Sequence, residues 1–398
     1  MQQYEVIAFA EKMITLLNTG AKNTTYKYAV LIGLLDLVFE AEVKDQAAIK
    51  FTTENLAEKV LALYWRQSTP YDKTNAVLWA AKGRKQAKII KLIESFQVKQ
   101  KLTSLHKAKQ QKKHYHPLKK KVERILIEMP LPKLQKFGGS EERFIYSISW
   151  CDNTLDAKQL TTYLQGKPST FDNGIYIQPQ VLEYLRALNG LLRPLVKQAW
   201  LMDVAKMNGT DESQLDDFLF GSDRKAISTF ADALYMLQGK VCFYCQKPIN
   251  SAMQVDHFIP WSRYANDSLA NLLATHDKCN NNKRDHICTP DIYQRWQQHI
   301  ADNAAALEVI AAEKNWEAGI ARSLNIADNI YQALDAQYLY WQGVNDFTHA
   351  DKLTLKRSLS SLNNPISINT ACQAEATNDN SRVAIDYFES LEIACGHF

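Results

Sequence analysis

The chain has 398 residues, of which 46% are hydrophobic and 23% charged, with 14 Gly and 11 Pro; these values exclude a disordered, collagenous or fibrous protein. The length exceeds what one hydrophobic core fills, so two or three domains are expected. A net charge of +4 is too mild to define a partner, and the chain has neither the opening order of a secretory signal nor an apolar run long enough to span a bilayer, which leaves no membrane partner and the cytoplasm as the expected location.

The N-terminal part reads as helical. Tyr28, Leu31, Leu35 and Val38 recur at helical spacing, and Leu56, Val60 and Leu63 repeat the pattern before Pro70. From Lys99 to Arg124 there are ten Lys/Arg against the single acid Glu123, with His106, His114, Tyr115 and His116 interleaved. This is the strongest charge asymmetry in the chain, and it reads either as a nucleic-acid backbone arm, with Lys112, Lys113, Lys119, Lys120 and Lys121 as contacts, or as a solvated helix face. After Pro132, Phe144, Tyr146, Ile148 and Trp150 alternate with Ile145, Ser147 and Ser149, the pattern of a half-buried strand, and Ile175–Gln178 follows as a second extended piece. Pro179 and Pro194 suit opening turns, while Asn189-Gly190 and Asn208-Gly209 suit helix ends, so 179–208 is predicted to be two helices. The acidic stretch Asp211–Asp217 reads as a linker, and a helix over 224–237 ends at Gly239. Beyond Pro290 the pattern is helical again through Ala304–Ala312 and Tyr331–Trp341; from Asn363 a polar tail is expected, with a last helix near 383–393.

Seven cysteines stand at 151, 242, 245, 279, 288, 372 and 395. In a chain without an export signal, their clustering near histidines points to metal rather than to disulfides. Cys242 and Cys245 form one pair, His276 and Cys279 another, each with two intervening residues. Two-residue spacing lets both side chains reach one ion, and four N/S ligands suit tetrahedral structural zinc. His276 is the weakest ligand of this set, with His286 and Cys288 as substitutes.

Between the pairs lie Val255-Asp256-His257, Pro260-Trp261-Ser262-Arg263 and Asn271-Leu272, and Asn280-Asn281-Asn282-Lys283 follows Cys279 directly. This order resembles the HNH (ββα-metal) endonuclease family, in its zinc-stapled form common among bacterial restriction and phage-defence nucleases. The resemblance implies that Asp256 and Asn280 hold Mg²⁺ or another divalent ion and that His257 takes the proton of the attacking water. It further implies that Asn271 bridges the loop and orients the His257 ring. Phosphodiester hydrolysis needs a base, an ion and phosphate donors, so these roles agree with the residue types. Arg263, Lys283 and Arg284 are the candidate phosphate contacts. Many family members have His where Asn280 stands, and Cys where His276 stands.

The expected fold is mainly α with small α+β parts: a multi-domain helical protein carrying a zinc-stapled ββα-metal module. Its expected divisions are an N-terminal helical domain (1–98), a basic arm or linker (99–125), a middle α+β domain (126–225), the HNH domain (226–310), and a C-terminal helical region and tail (311–398). The resemblance implies a nuclease acting on double-stranded DNA in bacterial restriction or anti-phage defence, with a defence-system protein or a second copy of the chain as a further partner. Two alternatives stand beside it, a zinc-stabilised nucleic-acid-binding protein with an inactive core and an RNA-cleaving enzyme, because the motif addresses phosphates and not the sugar.

Overall fold

Apolar side chains surround Tyr26–Glu40 on every side, and a helix of that kind is stable only when it is enclosed. In the computed structural model it is α2, with 13 of its 15 residues buried. The structure describes residues 2–349, apart from 20–22, 43–47, 72–75, 138–139 and the single positions 152, 223, 251 and 336. The expected helix near 383–393 lies outside the described residues. Residues 1–350 form one compact unit.

Around α2 pack α3 (Thr53–Trp65), α8 (Pro179–Ala187), α9 (Asn189–Asn208) and α15 (Ile320–Ala333), while α1 (Gln2–Asn18) lies on α9. Strand β1 (Ile49–Thr52) leads directly into α3, where the Thr52 side chain accepts from the Asn55 main-chain N–H and the Asn55 side-chain Oδ1 accepts from the Thr52 N–H. This reciprocal cap satisfies two donors that the first helical turn leaves unpaired.

The basic segment is folded helix rather than extended chain. It folds as α5 (Leu105–Gln110) and α6 (Lys112–Glu128), packed on α3 and on α4 (Lys88–Gln100) through the buried Tyr115, Leu118, Val122 and Leu126. Lys119 pairs with Glu54 at 2.9 Å, and Lys120 pairs with Glu54 at 3.0 Å and with the fully buried Glu123 at 2.9 Å. Two of the five lysines expected at nucleic acid therefore neutralise acids of the fold itself. Lys112, Lys113 and Lys121 are exposed.

The small hairpin β2 (Lys136–Phe137)/β3 (Ser140–Glu141) precedes the segment 144–150, which is not the strand its alternation predicts. Tyr146, Ile148 and Trp150 are buried and Ser149 exposed, but the segment bridges a neighbour only at Ser147–Tyr176. After α7 (Ala157–Leu164), β4 (Gly174–Ile177) pairs antiparallel with β1. Two helices fill 179–208 as expected, but Asn189 begins the second one instead of ending the first, and Pro194 lies inside it. The acidic stretch is a helix rather than a linker: α10 (Glu212–Phe220) is capped by Asp211, whose carboxylate accepts from the Ser213 N–H, and buries Leu215, Phe218 and Leu219. Acids at its start complement the helix dipole.

Residues 224–237 form two short helices, α11 (Arg224–Ser228) and α12 (Ala231–Leu237), before Gly239 turns the chain at φ +65°. Strands β5 (Met253–His257) and β6 (Leu272–His276) and helix α13 (Asp277–Lys283) then make a ββα unit. The long α14 (Pro290–Glu313) and α15 follow. Helix α15 stops at Ala333, and the aromatic run expected to be helical continues as hairpin β7 (Leu339–Gly343)/β8 (Asp346–His349), which buries Tyr340 and Trp341. Among the described residues the protein is thus mainly helical with two-stranded antiparallel sheets, and none of its helices is long and apolar enough to cross a membrane.

Candidate functional site

The turn 242–247 carries two of the four clustered ligands. Cys242 N–H donates to the Lys247 carbonyl and Gln246 N–H to the Cys242 carbonyl, with Gln246 at φ 57°. His276, at the end of β6, and Cys279, in the first turn of α13, supply the other two. The four ligand atoms all lie within 4.8 Å of one another. Zinc–sulfur bonds of about 2.3 Å place tetrahedral ligands about 3.8 Å apart, so the set fits Zn²⁺ with little adjustment.

The surrounding bonds agree with that fit. His276 turns Nδ1 toward Cys245 Sγ (3.3 Å) and lies with Nε2 3.1 Å from the Pro248 carbonyl, the outer hydrogen bond that fixes a metal-ligating imidazole. The His276 main-chain N–H donates to Cys242 Sγ at 3.4 Å. Burial, followed by the charges of Cys242 and Cys245, pushes the Cys279 thiol well up. A cation among the sulfurs offsets both penalties. The substitutes for His276 lie elsewhere: Cys288 is buried among Tyr244, Tyr331 and Trp341, and the His286 ring packs on Phe347 at 4.9 Å.

Asp256 and His257 end β5, opposite Leu273 and Leu272 of β6, and both are nearly buried. Asp256 Oδ2 accepts from the Tyr244 hydroxyl at 2.6 Å and from Lys283 Nζ at 3.2 Å, while the same Nζ donates to the His257 carbonyl at 2.9 Å. Lys283 is fully buried. It therefore cannot be the phosphate contact expected from its position after Asn280; it neutralises Asp256 and braces the strand end. A buried ammonium is tolerable only with such partners. The Asp256 Oδ1 and the half-exposed Asn280 amide remain as hard oxygen donors of the kind Mg²⁺ prefers. Helix α13 packs against β5, and Asn280 and Lys283, three residues apart, share a face of that helix.

Asn271 does close the loop, but not through the imidazole. Fully buried, its Nδ2 donates to the carbonyls of Asn266 (2.9 Å) and Ile259 (3.3 Å), and its Oδ1 accepts from the Ile259 N–H (2.8 Å). The ring is held instead by Asp267, whose Oδ1 lies 2.7 Å from His257 Nε2, and the Trp261 ring lies tilted beside it at 5.3 Å. Sequence reasoning missed Asp267; the available signal was an acid inside the loop that Asn271 closes. Arg263 packs its guanidinium on Tyr338, with Nη2 3.3 Å from the hydroxyl, whereas Arg284 is exposed. The basic segment touches this region through His106, which stacks on Trp316 at 3.7 Å. Burial, followed by the Lys109 charge, carries His106 down to about 4, so it is a neutral stacking partner near neutral pH.

Residues 242–289 match the HNH endonuclease family, and residues 8–219 match a family described as a domain of unknown function, DUF8808. No curated protein and no solved structure matches the chain. The second family match spans more than half of the 398 residues, so the chain belongs to the DUF8808 family, and it carries an HNH-type module with a Cys3His metal-binding cluster beyond that domain.

Proposed function

We propose that the protein is a metal-dependent endonuclease that hydrolyses phosphodiester bonds of double-stranded DNA. The reading rests on His257 and Asp256 at the end of β5 and on Asn280 in helix α13, which packs against β5 and carries Cys279 of the four-ligand cluster. His257 accepts a proton from water as its oxygen attacks phosphorus, and the bond to the departing sugar oxygen breaks. A divalent ion held by Asp256 and Asn280 would supply Lewis-acid neutralisation of the charge that develops on phosphate and leaving oxygen. Lys283 holds the carboxylate in place through its 3.2 Å contact with Oδ2. Exposed Lys112, Lys113 and Lys121, with Arg284, offer sequence-independent contacts to the phosphate backbone.

The biological setting we propose is bacterial restriction or anti-phage defence, with a second copy of the chain or a defence-system protein as partner; the resemblance of the motif supports it. Cleavage of supercoiled plasmid, phage DNA and RNA by the full chain, with Mg²⁺ or with EDTA, tests the activity. His257→Ala is expected to cut at least about a hundredfold more slowly while binding DNA as wild type does. Equal cutting by His257→Ala would overturn the assignment.

A further inference from the structure

The His257–Asp267 contact is not a surface ion pair. Both side chains are largely enclosed, at 11% and 17% exposure, and their separation is 2.7 Å. Asp267 is also held from outside the residues that match the HNH family. Its main-chain carbonyl accepts from Trp316 Nε1 at 2.6 Å, and the next residues are tied by Leu269 N–H to the Glu317 carbonyl and Ala270 N–H to the Ala318 carbonyl. Asn266, on its other side, donates to Ser323 at 2.9 Å. The carboxylate is thus fixed in front of the imidazole by the α14–α15 connection and the start of α15.

An ionised carboxylate only accepts hydrogen bonds. A neutral imidazole facing it must therefore carry its proton on Nε2, which leaves the lone pair on Nδ1. We propose that Asp267 is a positioning residue: it selects this tautomer of His257 and sets the ring angle, so that Nδ1 is the atom that accepts the proton of the attacking water. The nearby negative charge also stabilises the imidazolium that forms when the proton arrives, as in hydrolases where an acid stands behind a histidine base. The water's proton ends on Nδ1 and Nε2 keeps its own, so no proton passes to Asp267. This rests on the nuclease reading of His257.

Two variants of the full-length protein test it, Asp267→Ala and the near-isosteric Asp267→Asn, which keeps loop shape but loses the charge. Plasmid cleavage with Mg²⁺ should show kcat lowered about 10- to 100-fold with KM within about twofold, at wild-type zinc content and melting temperature. Added to His257→Ala, neither variant should lower the residual rate further, because Asp267 acts through that ring. Histidine ¹⁵N shifts should show His257 protonated on Nε2 in the wild type and a tautomer mixture in Asp267→Ala. Unchanged kcat in Asp267→Asn, or the same loss with and without His257, would overturn the proposal. If the wild-type protein itself does not cleave, the nuclease reading fails, and the ¹⁵N shifts still decide the tautomer: protonation on Nδ1 would refute it.

Discussion

The helical region around α2 and the module over 242–289 are stabilised by different physics. In α2 nearly every side chain is apolar and enclosed, and the α2–α3 contact is so close that a Cβ on Gly33 would lie 2.8 Å from Leu56 Cδ1. That stabilisation is non-directional and scales with buried apolar area. The module instead buries Asp256, His257, Asn266, Ser268, Asn271, Thr275 and Lys283, and holds them by hydrogen bonds, a buried ion pair and the four-ligand cluster. Directional bonds fail if atoms shift by a fraction of an ångström, which makes such a core demanding to assemble but able to fix reactive groups. The contrast is the reason a metal at the four-ligand cluster is expected to matter more to the ββα unit than to the helical region.

Removing a zinc ligand should separate the two regions most sharply. Cys242→Ser, or prolonged chelation, is expected to release one equivalent of zinc by elemental analysis, abolish cleavage and open β5, β6 and α13 to rapid amide exchange, while α2 and α3 stay protected. Uniform loss of protection would mean the regions form one cooperative unit. Leu56→Ala should act in the opposite sense, costing about 2–5 kcal/mol of global stability in a denaturant titration and leaving the cleavage rate per folded molecule unchanged.

The lysines of α6 sharpen the comparison further. Replacing Lys112, Lys113 and Lys121 with Gln should flatten the dependence of log affinity on log salt by about 0.9 for each phosphate that a lysine no longer neutralises, without altering the melting temperature. Replacing Lys119 and Lys120 should lower the melting temperature, since Glu123 is then buried without its cation. An altered salt slope from the second pair alone would reverse their roles. The smallest effect concerns Glu54. Burial acts to raise its carboxyl, but hydrogen bonds and charge from Lys119 and Lys120 outweigh that and bring it from the usual 4.5 down to about 2. Because the folded-state value is depressed, this stabilisation is present above about pH 4.5 and disappears as the pH falls toward 2. Glu54→Gln should flatten the acid unfolding curve in that window.

Much of this was legible in local spacing. The apolar recurrence at 28–38 and 56–63, Pro179 at a helix start and Gly209 at a helix end report local backbone geometry, and α2, α3, α8 and α9 follow them. The ligand pairs were legible for the same reason, since two intervening residues bring two side chains to one point whatever surrounds them. Spacing failed where a neighbour elsewhere in the chain decides the outcome. Charge concealed α10 because its acids face outward while Leu215 and Phe218 find a core. The alternation at 144–150 became a single bridge to Tyr176, and the aromatic run after Tyr331 became a hairpin under Tyr244 and Cys288.

At the site the division is the same. Residue order alone pointed to His257 and Asp256, brought out the Cys242, Cys245, His276 and Cys279 cluster, and singled out Asn271, whose side chain closes the loop. Only the tertiary structure buried Lys283 against Tyr244 and Asp256, tied Lys119 and Lys120 to acids of α3 and α6, and set Asp267, held by Trp316, against the imidazole. Residue type states which bonds a side chain can make, but which partner it meets is decided by loop closure and packing across tens of residues, and no local pattern encodes that.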